Sequence, residues 1–316
     1  MKHLKFSNGD QMPAIGLGTW KAPDEEVKRA VELALNAGYR HIDCASIYQN
    51  EAAIGEAFAK AKKSIPREEL WITSKLWNDA HLPQDVEPAL RKTLQDLQLE
   101  YLDLYLMHWP VAFKPGVTRP KTDDEYLSLD EAPLIDTWNA MLELKAKGLV
   151  KHVGVSNFSQ KKLESLMALT DQKPEVNQIE LHPYLPQNEF VGWCHDHDIH
   201  LTAYSPLGSG DRHESMKAEN EPSLLNNAVI KSIAQKHKSG PGQVLIAYHV
   251  ARNCSVIPKS TSEKHIKENL AAADLQLDNE DLTQLDHMDT AFRYVNGEFF
   301  VTPGNPYHDI YDLESK

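Results

Sequence analysis

Short apolar runs that end in a polar residue alternate along this chain with longer stretches whose apolar positions recur every three or four residues. The first kind suits a strand buried on both faces, the second a helix with one buried stripe. The opening HLKFSNGDQMPAI reads as a hairpin turned at Asn8 and Gly9, a pair that accepts the positive φ of a tight turn. A short strand follows at 15–20. Next, Val27, Ala30, Val31, Ala34 and Leu35 take helical spacing in a segment that starts near Asp24 and stops at Gly38. The same unit then recurs. Strands are predicted near 39–43, 70–76, 103–108, 150–156, 175–180, 199–205 and 255–258, and helices near 50–62, 84–97, 134–147, 159–169, 188–198, 242–251 and 262–272. Eight strand-then-helix repeats predict an α/β fold, a closed (β/α)8 TIM barrel rather than an open sheet. A last helix near 279–288 and a tail to Lys316 fall outside the repeat. Barrels of this kind often exceed the usual domain length, so 1–316 is expected to form one domain.

The downstream ends of the strands in such a barrel share one rim, where catalytic groups sit. Asp43, Tyr48, Lys75 and His108 each fall at or just beyond such an end, after the runs YRHID, LWITSK and DLYLMH. Two connections are too long to be simple turns: 111–133 after the fourth strand and 205–223 after the seventh. Both emerge on that rim. With the aromatic tail residues Phe292, Tyr294, Phe299, Phe300, Tyr307 and Tyr311, they are expected to wall a pocket.

Charge and cysteine content narrow the setting. A net charge of −13 argues against a nucleic-acid partner, which needs a basic footprint, and requires any anionic ligand to find a local positive site. No apolar run approaches the length of a membrane span, and MKHLKFSNGDQMP lacks the apolar stretch of a signal peptide. Cys44, Cys194 and Cys254 are too few and too dispersed for a disulfide framework, so a cytoplasmic protein is expected. The run Cys194, His195, Asp196, His197, Asp198, Ile199, His200 has the composition of a metal cluster. It joins the sixth helix to the seventh strand, away from the catalytic rim, so a solvated helix end is expected there and no metal. Cys44 adjoins Asp43, and both inert packing and redox sensitivity stay open for it.

The strings GLGTW, HIDCASIYQNE, ITSKLW, LDLYLMHWP, KHVGVSNF, LTAYSPLG and VIPKS occur here in one order and register. Together they resemble the aldo-keto reductase family over residues 3–310, and LMHWPVAFKPG resembles its aldose reductase and aldehyde reductase branch. The resemblance implies that Asp43, Tyr48, Lys75 and His108 are the catalytic tetrad, in a barrel capped below by the hairpin.

The chemistry of those four types is coherent without the family name. Hydride addition to a carbonyl develops negative charge on oxygen, so a proton donor and fixed positive potential should face that atom. Tyr48 can supply the proton, but a free phenol near pKa 10 is a slow acid. A neighbouring ammonium favours the phenolate, and Lys75 is expected to do this while Asp43 keeps it charged and oriented. A neutral His108 can donate one hydrogen bond that aligns the substrate oxygen. Taken singly, Asp43 and Lys75 would equally suit an interior ion pair.

Gly16, Leu17 and Gly18 do not make a dinucleotide fingerprint, because Lys21 stands where the third glycine belongs; they read as a tight strand end. The resemblance instead brings Thr19 and Trp20, with Asp43, to a nicotinamide. Ser156, Asn157 and Gln178 end the fifth and sixth strands and suit a carboxamide, and Tyr204 suits stacking on the ring. Loops after the seventh and eighth strands often bind phosphate in barrels. Here they carry Ser205, Leu207 and Ser209, then Ile257, Pro258, Lys259, Ser260, Thr261 and Ser262 running into the last helix of the repeat. By resemblance Lys259, Ser260 and Ser262 hold an adenosine 2′-phosphate, with Glu268 and Asn269 facing adenine, which implies NADPH (NADP+). One position departs from many relatives: His265 stands where they have an arginine. Histidine lacks the permanent charge and planar fork of arginine, so NADH is also admitted.

On the substrate side, Trp20, Trp77, Trp109 and Phe113 resemble the family's aromatic pocket, joined by Tyr48 and His108. An apolar cleft with few polar groups suits an aldehyde or a ketone on a hydrophobic body. The expectation is an NADPH-dependent carbonyl reductase acting on a small-molecule aldehyde or ketone, monomeric by resemblance, with no nucleic-acid or membrane partner. A dedicated sugar or keto-steroid reductase, a nonenzymatic cofactor-binding protein and a metal-dependent barrel hydrolase are the rival readings.

Overall fold

The computed structural model describes residues 2–313; Met1 and the last three residues of the expected tail to Lys316 lie outside the described residues. The chain opens with β1 (His3–Lys5) and β2 (Gln11–Pro13), an antiparallel hairpin in which Leu4 faces Met12. The repeat follows as β3 (Leu17–Gly18), α1 (Asp24–Ala37), β4 (His41–Asp43), α2 (Glu51–Ala61), β5 (Trp71–Leu76), α3 (Pro83–Leu97) and β6 (Leu102–Met107). A small ladder, β7 (Ala112–Phe113) with β8 (Tyr126–Leu127), precedes α4 (Leu134–Ala146). The remainder is β9 (Val150–Ser156), α5 (Gln160–Met167), β10 (Val176–Glu180), α6 (Asn188–Asp196), β11 (His200–Tyr204), α7 (Ala228–Lys236), α8 (Pro241–Ala251), β12 (Ser255–Val256), α9 (Glu263–Ala271) and α10 (Asn279–Asp286).

Eight strands form one parallel sheet in the order β12, β11, β10, β9, β6, β5, β4, β3, and bridges from Ile15 to Val256 and Gly18 to Lys259 join its first strand to its last. This is the closed (β/α)8 barrel that the repeat predicts. The seam explains the glycines of GLG. A Cβ on Gly18 would sit 2.6 Å from the Ile257 carbonyl oxygen, and one on Gly16 would sit 2.8 Å from the His41 ring. Gly18 serves close backbone approach, and Gly16 leaves room for the His41 ring.

The described residues pack as two compact units, 2–43 with Ala61–Trp71 and Gln178–Val295, and Cys44–Lys60 with Ile72–Asn177 and 296–313. In the first unit, the predicted stripe Val27, Ala30, Val31, Ala34 and Leu35 is the buried face of α1, which stops where Gly38 takes a φ of 106°. Tyr39 then ties this corner to α9 by donating from its hydroxyl to the Ile266 carbonyl at 3.0 Å. In the second unit every residue of β5 from Ile72 onward and of β6 is buried, so the apolar runs ITSKL and LDLYLM read as continuous rather than alternating.

Three local features differ from the pattern. The first strand is only Leu17–Gly18, because Lys21 already has a φ of 67°. The connection 111–133 contains the β7–β8 ladder. The seventh repeat carries an extra helix, α7, in a stretch to which the periodicity assigns no element. Its start is set by Asn227, whose side chain accepts from Val229 N at 2.8 Å, and Ile230, Ile233 and Ala234 are its buried face.

Candidate active site

In the second unit, three of the four expected catalytic residues come together. Tyr48 ends a 3-10 turn, Ser46–Tyr48, that is closed by Gln49 at a φ of 58°. Lys75 is fully buried in β5, and its Nζ donates to the Cys44 carbonyl at 2.7 Å. That ammonium lies 5.2 Å from the centroid of the Tyr48 ring. His108 is the first residue beyond β6. Its amide donates to Leu76 O at 3.1 Å, its carbonyl accepts from Asn157 Nδ2 at 3.0 Å, and its ring stands edge-on to Tyr48 with centroids 5.9 Å apart. Burial holds the imidazole pKa well below its ordinary value, and the nearby Lys75 and His81 push the same way. A neutral ring is therefore the form this environment favours.

The expected substrate lining gathers beside them. The Trp77 ring is 5.2 Å from His108 and 6.0 Å from Phe113, while Trp109 meets Phe300 at 5.1 Å, Phe299 at 5.7 Å and Tyr311 at 6.3 Å. The tail is fastened there. Tyr307 accepts from Ala112 N and donates to Leu127 O, both at 2.8 Å, and Lys162 pairs with Asp312 at 2.6 Å. Ser156 and Asn157 follow at the end of β9, with Asn157 held at a φ of 63°.

The first unit gathers the other expected contacts. Asp43 ends β4; its Oδ2 accepts from Gln178 Nε2 at 2.7 Å, and its carbonyl accepts from the Thr19 hydroxyl at 2.8 Å. Tyr204 ends β11, and Ser205 and Ser209 beyond it adopt φ values of 50° and 47°. Left-handed conformations are uncommon for such residues and mark a loop held by its surroundings. Ile257 donates its amide to Ala203 O, and Lys259, Ser260, Thr261 and Ser262 lead into α9. On that helix Glu268 is half-buried, Asn269 is buried and His265 is exposed.

Several residues of consequence were not expected. Lys21 holds its ammonium 4.3 Å from the ring centroid of the expected Trp20. Asp211 receives that ammonium at 2.5 Å and Lys259 at 3.0 Å, while Lys21 also reaches Ser209 at 2.8 Å. Burial favours neutral acid at Asp211, but the two lysines outweigh it and hold its carboxyl below the ordinary value. Arg212, with an almost fully buried side chain, organises the connection 205–223. It donates to Ser209 O, Met216 O and Tyr294 O and pairs with Glu221 at 2.5 Å. No local pattern announces these partners, since the charges that meet are 190 and 48 residues apart.

The run Cys194–His200 divides among separate roles. Cys194 is buried, His197 stacks on Trp193 at 4.1 Å, and His200 Nε2 lies 3.1 Å from Lys5 O. Cys44 is also fully buried, and its carbonyl accepts from the Lys75 ammonium. Among the described residues no helix is long and apolar enough to cross a membrane.

Known proteins resemble this chain over most of its length. The model of the aldo/keto reductase family matches residues 14–290. The chain is 49% identical over 309 residues to Aldo/keto reductase slr0942 of Synechocystis, covering 97% of this chain and 94% of that one. It is 48% identical over 291 residues to Aldo-keto reductase family 1 member A1 of Mus musculus and 47% identical over 291 residues to that of Homo sapiens, each covering 91% of this chain and 89% of the relative.

Proposed function

The chain belongs to the aldo/keto reductase family, and on that premise we propose that it is an NADPH-dependent reductase of aldehydes and some ketones, with Tyr48 as general acid. The observation that carries the reading is the trio in the second unit: a phenol beside a buried ammonium, and an imidazole kept neutral. The ammonium favours the phenolate that remains once the proton has gone to the carbonyl oxygen, so it makes Tyr48 a better acid. His108 donates a hydrogen bond to the same oxygen and fixes its direction. The fold makes the phenol's position repeatable, because Tyr48 sits on a short turn closed by Gln49 rather than on a long loop.

The donor set of the first unit fits a phosphate-bearing dinucleotide. Lys259, Ser260 and Ser262 precede a nine-residue helix whose first N–H groups receive no side-chain cap from Ser262, and such an end attracts anions. Asp211 holds Lys259 and Lys21 together and keeps that charge ordered. Within this unit, Thr19, Trp20, Asp43, Gln178 and Tyr204 are assigned to the nicotinamide. Ser205, Leu207, Ser209, Ile257 and Thr261 are assigned to the phosphates and ribose, and Glu268 and Asn269 to adenine. Bound there, the reduced cofactor supplies the hydride. NADPH is the proposed form, with NADH admitted because His265 is exposed and lacks a fork for phosphate.

The rings of Trp77, Trp109, Phe113 and Phe300 favour a carbonyl on an apolar body over a free sugar. The reading is tested by following oxidation of NADPH and of NADH against aromatic, aliphatic, sugar and steroid carbonyls. Tyr48→Phe should lower kcat/KM by about 10²- to 10⁴-fold, the range expected of a lost general acid, and leave NADPH affinity within about twofold. Wild-type turnover in that variant would defeat the assignment.

A further inference from the structure

Glu51 begins α2, three residues beyond Tyr48, and its side chain turns inward. It is 4% exposed. Its Oε1 accepts from the Ser74 hydroxyl at 2.6 Å and its Oε2 from the Thr93 hydroxyl at 2.9 Å. Both donors are buried to within 1%. Ser74 immediately precedes Lys75 in β5, and alternation along a strand puts these neighbours on opposite faces. The carboxyl therefore grips, from behind, the strand whose other face presents the ammonium, and Thr93 adds α3 as a third element.

We propose that Glu51 is a positioning residue for the reaction: its carboxyl joins the Tyr48 turn to the strand that presents Lys75 and, through that ammonium, tunes the acidity of Tyr48. The inference rests on the carbonyl-reductase reading above. Charged and titratable groups face Glu51 from β5, α3 and β6. Lys75 on β5 favours the carboxylate, Asp96 on α3 opposes it, and Tyr105 on β6 is itself pushed up by its burial and by Glu51. The two hydroxyls also favour the anion. Burial outweighs all of these and pushes Glu51 up to about 7. Below that pH the site holds a neutral acid. Above it a negative charge shares the Lys75 ammonium with Tyr48, opposes the phenolate and slows proton donation.

The test is the pH profile of the single-turnover reduction rate, from pH 5 to 9, in wild type and Glu51→Gln. The amide keeps the size and two polar ends of the acid but cannot ionise. Wild type should lose rate by roughly two- to fivefold around neutral pH, the size expected when one buried charge moves near another. Glu51→Gln should lack that inflection while keeping the limb due to Tyr48 at higher pH. An inflection retained in the variant, or a rate lowered equally at every pH, overturns the proposal. Should the variant fail to fold, the carboxyl C=O infrared band of the wild-type protein reports the same titration. A group ionised throughout pH 5–9 then overturns it. Wild type that reduces no carbonyl would sink the reductase reading itself, before any variant is made.

Discussion

Glu51 and Glu180 are buried almost equally, yet their surroundings push them in opposite directions. Glu51, in the second unit, meets two neutral hydroxyls and is raised to about 7. Glu180, at the end of β10 in the first unit, is fully buried and is nevertheless held below its ordinary value. Burial favours the neutral acid at both. At Glu180 it is overcome by His182 Nε2 at 2.7 Å, by the amides of Tyr294 at 2.6 Å and Val295 at 2.8 Å, and by the nearby Arg293. Fixed backbone N–H dipoles and a group able to carry charge stabilise an anion more than two hydroxyls do. One carboxyl is thus a permanent clasp for the start of the tail, and the other is a group poised to change state.

The largest effect that would break this comparison is expected at Glu180. Glu180→Ala removes the acceptor of two buried amides and the partner of a buried histidine, and should cost about 3–5 kcal/mol in urea unfolding. A loss below about 1 kcal/mol would show that the carboxylate does not hold the segment 294–295. Its folded pKa is depressed, so its contribution is present above the unfolded value and is lost as pH falls through the folded one. Stability in wild type should therefore decline more steeply on acidification than in Glu180→Ala.

Glu51 should show the opposite sign. Its folded pKa, about 7, lies above the ordinary 4.5, so the stability it contributes is complete below 4.5 and is lost as pH rises through about 7. The loss amounts to on the order of 3 kcal/mol. Denaturant unfolding at pH 5 and pH 8 should show Glu51→Gln near neutral or mildly destabilised at pH 5 and more stable than wild type at pH 8. Equal differences at the two pH values would contradict a raised pKa.

Asp211 sharpens the contrast from outside. It is lowered like Glu180, but its side chain is 49% exposed, so solvent screens its pairs with Lys21 and Lys259. Asp211→Asn should change stability by no more than about 1 kcal/mol, and added salt should shrink the difference further. A salt-independent loss comparable to that of Glu180→Ala would mean that the pair is far less solvated than its exposure implies.

The apolar pattern carried the barrel. Runs such as LDLYLM need both faces covered, and the stripe from Val27 to Leu35 needs one, so strand and helix alternate wherever those periods alternate. Asp43, Lys75 and His108 were legible for the same reason, since a polar residue at the close of an apolar run marks a strand end, and Tyr48 lies on the turn just beyond one. The helix α7 was missed because Asn226 and Asn227 look like loop residues until one of them caps a helix. The pairing of β7 with β8 depends on tail residues such as Tyr307 holding both strands.

What the sequence by itself determined is therefore periodic and local: the order of elements, the rim, and the kinds of side chain that arrive there. Only the tertiary structure decided which of them lose water and what replaces it. Nothing in the letters around Glu51 or Glu180 distinguishes a titrating acid from a permanent anion. That distinction comes from donors distant in the chain, Ser74 and Thr93 for one, Tyr294 and Val295 for the other. A charge responds to the whole surrounding volume, whereas a hydrophobic period is read along a single segment.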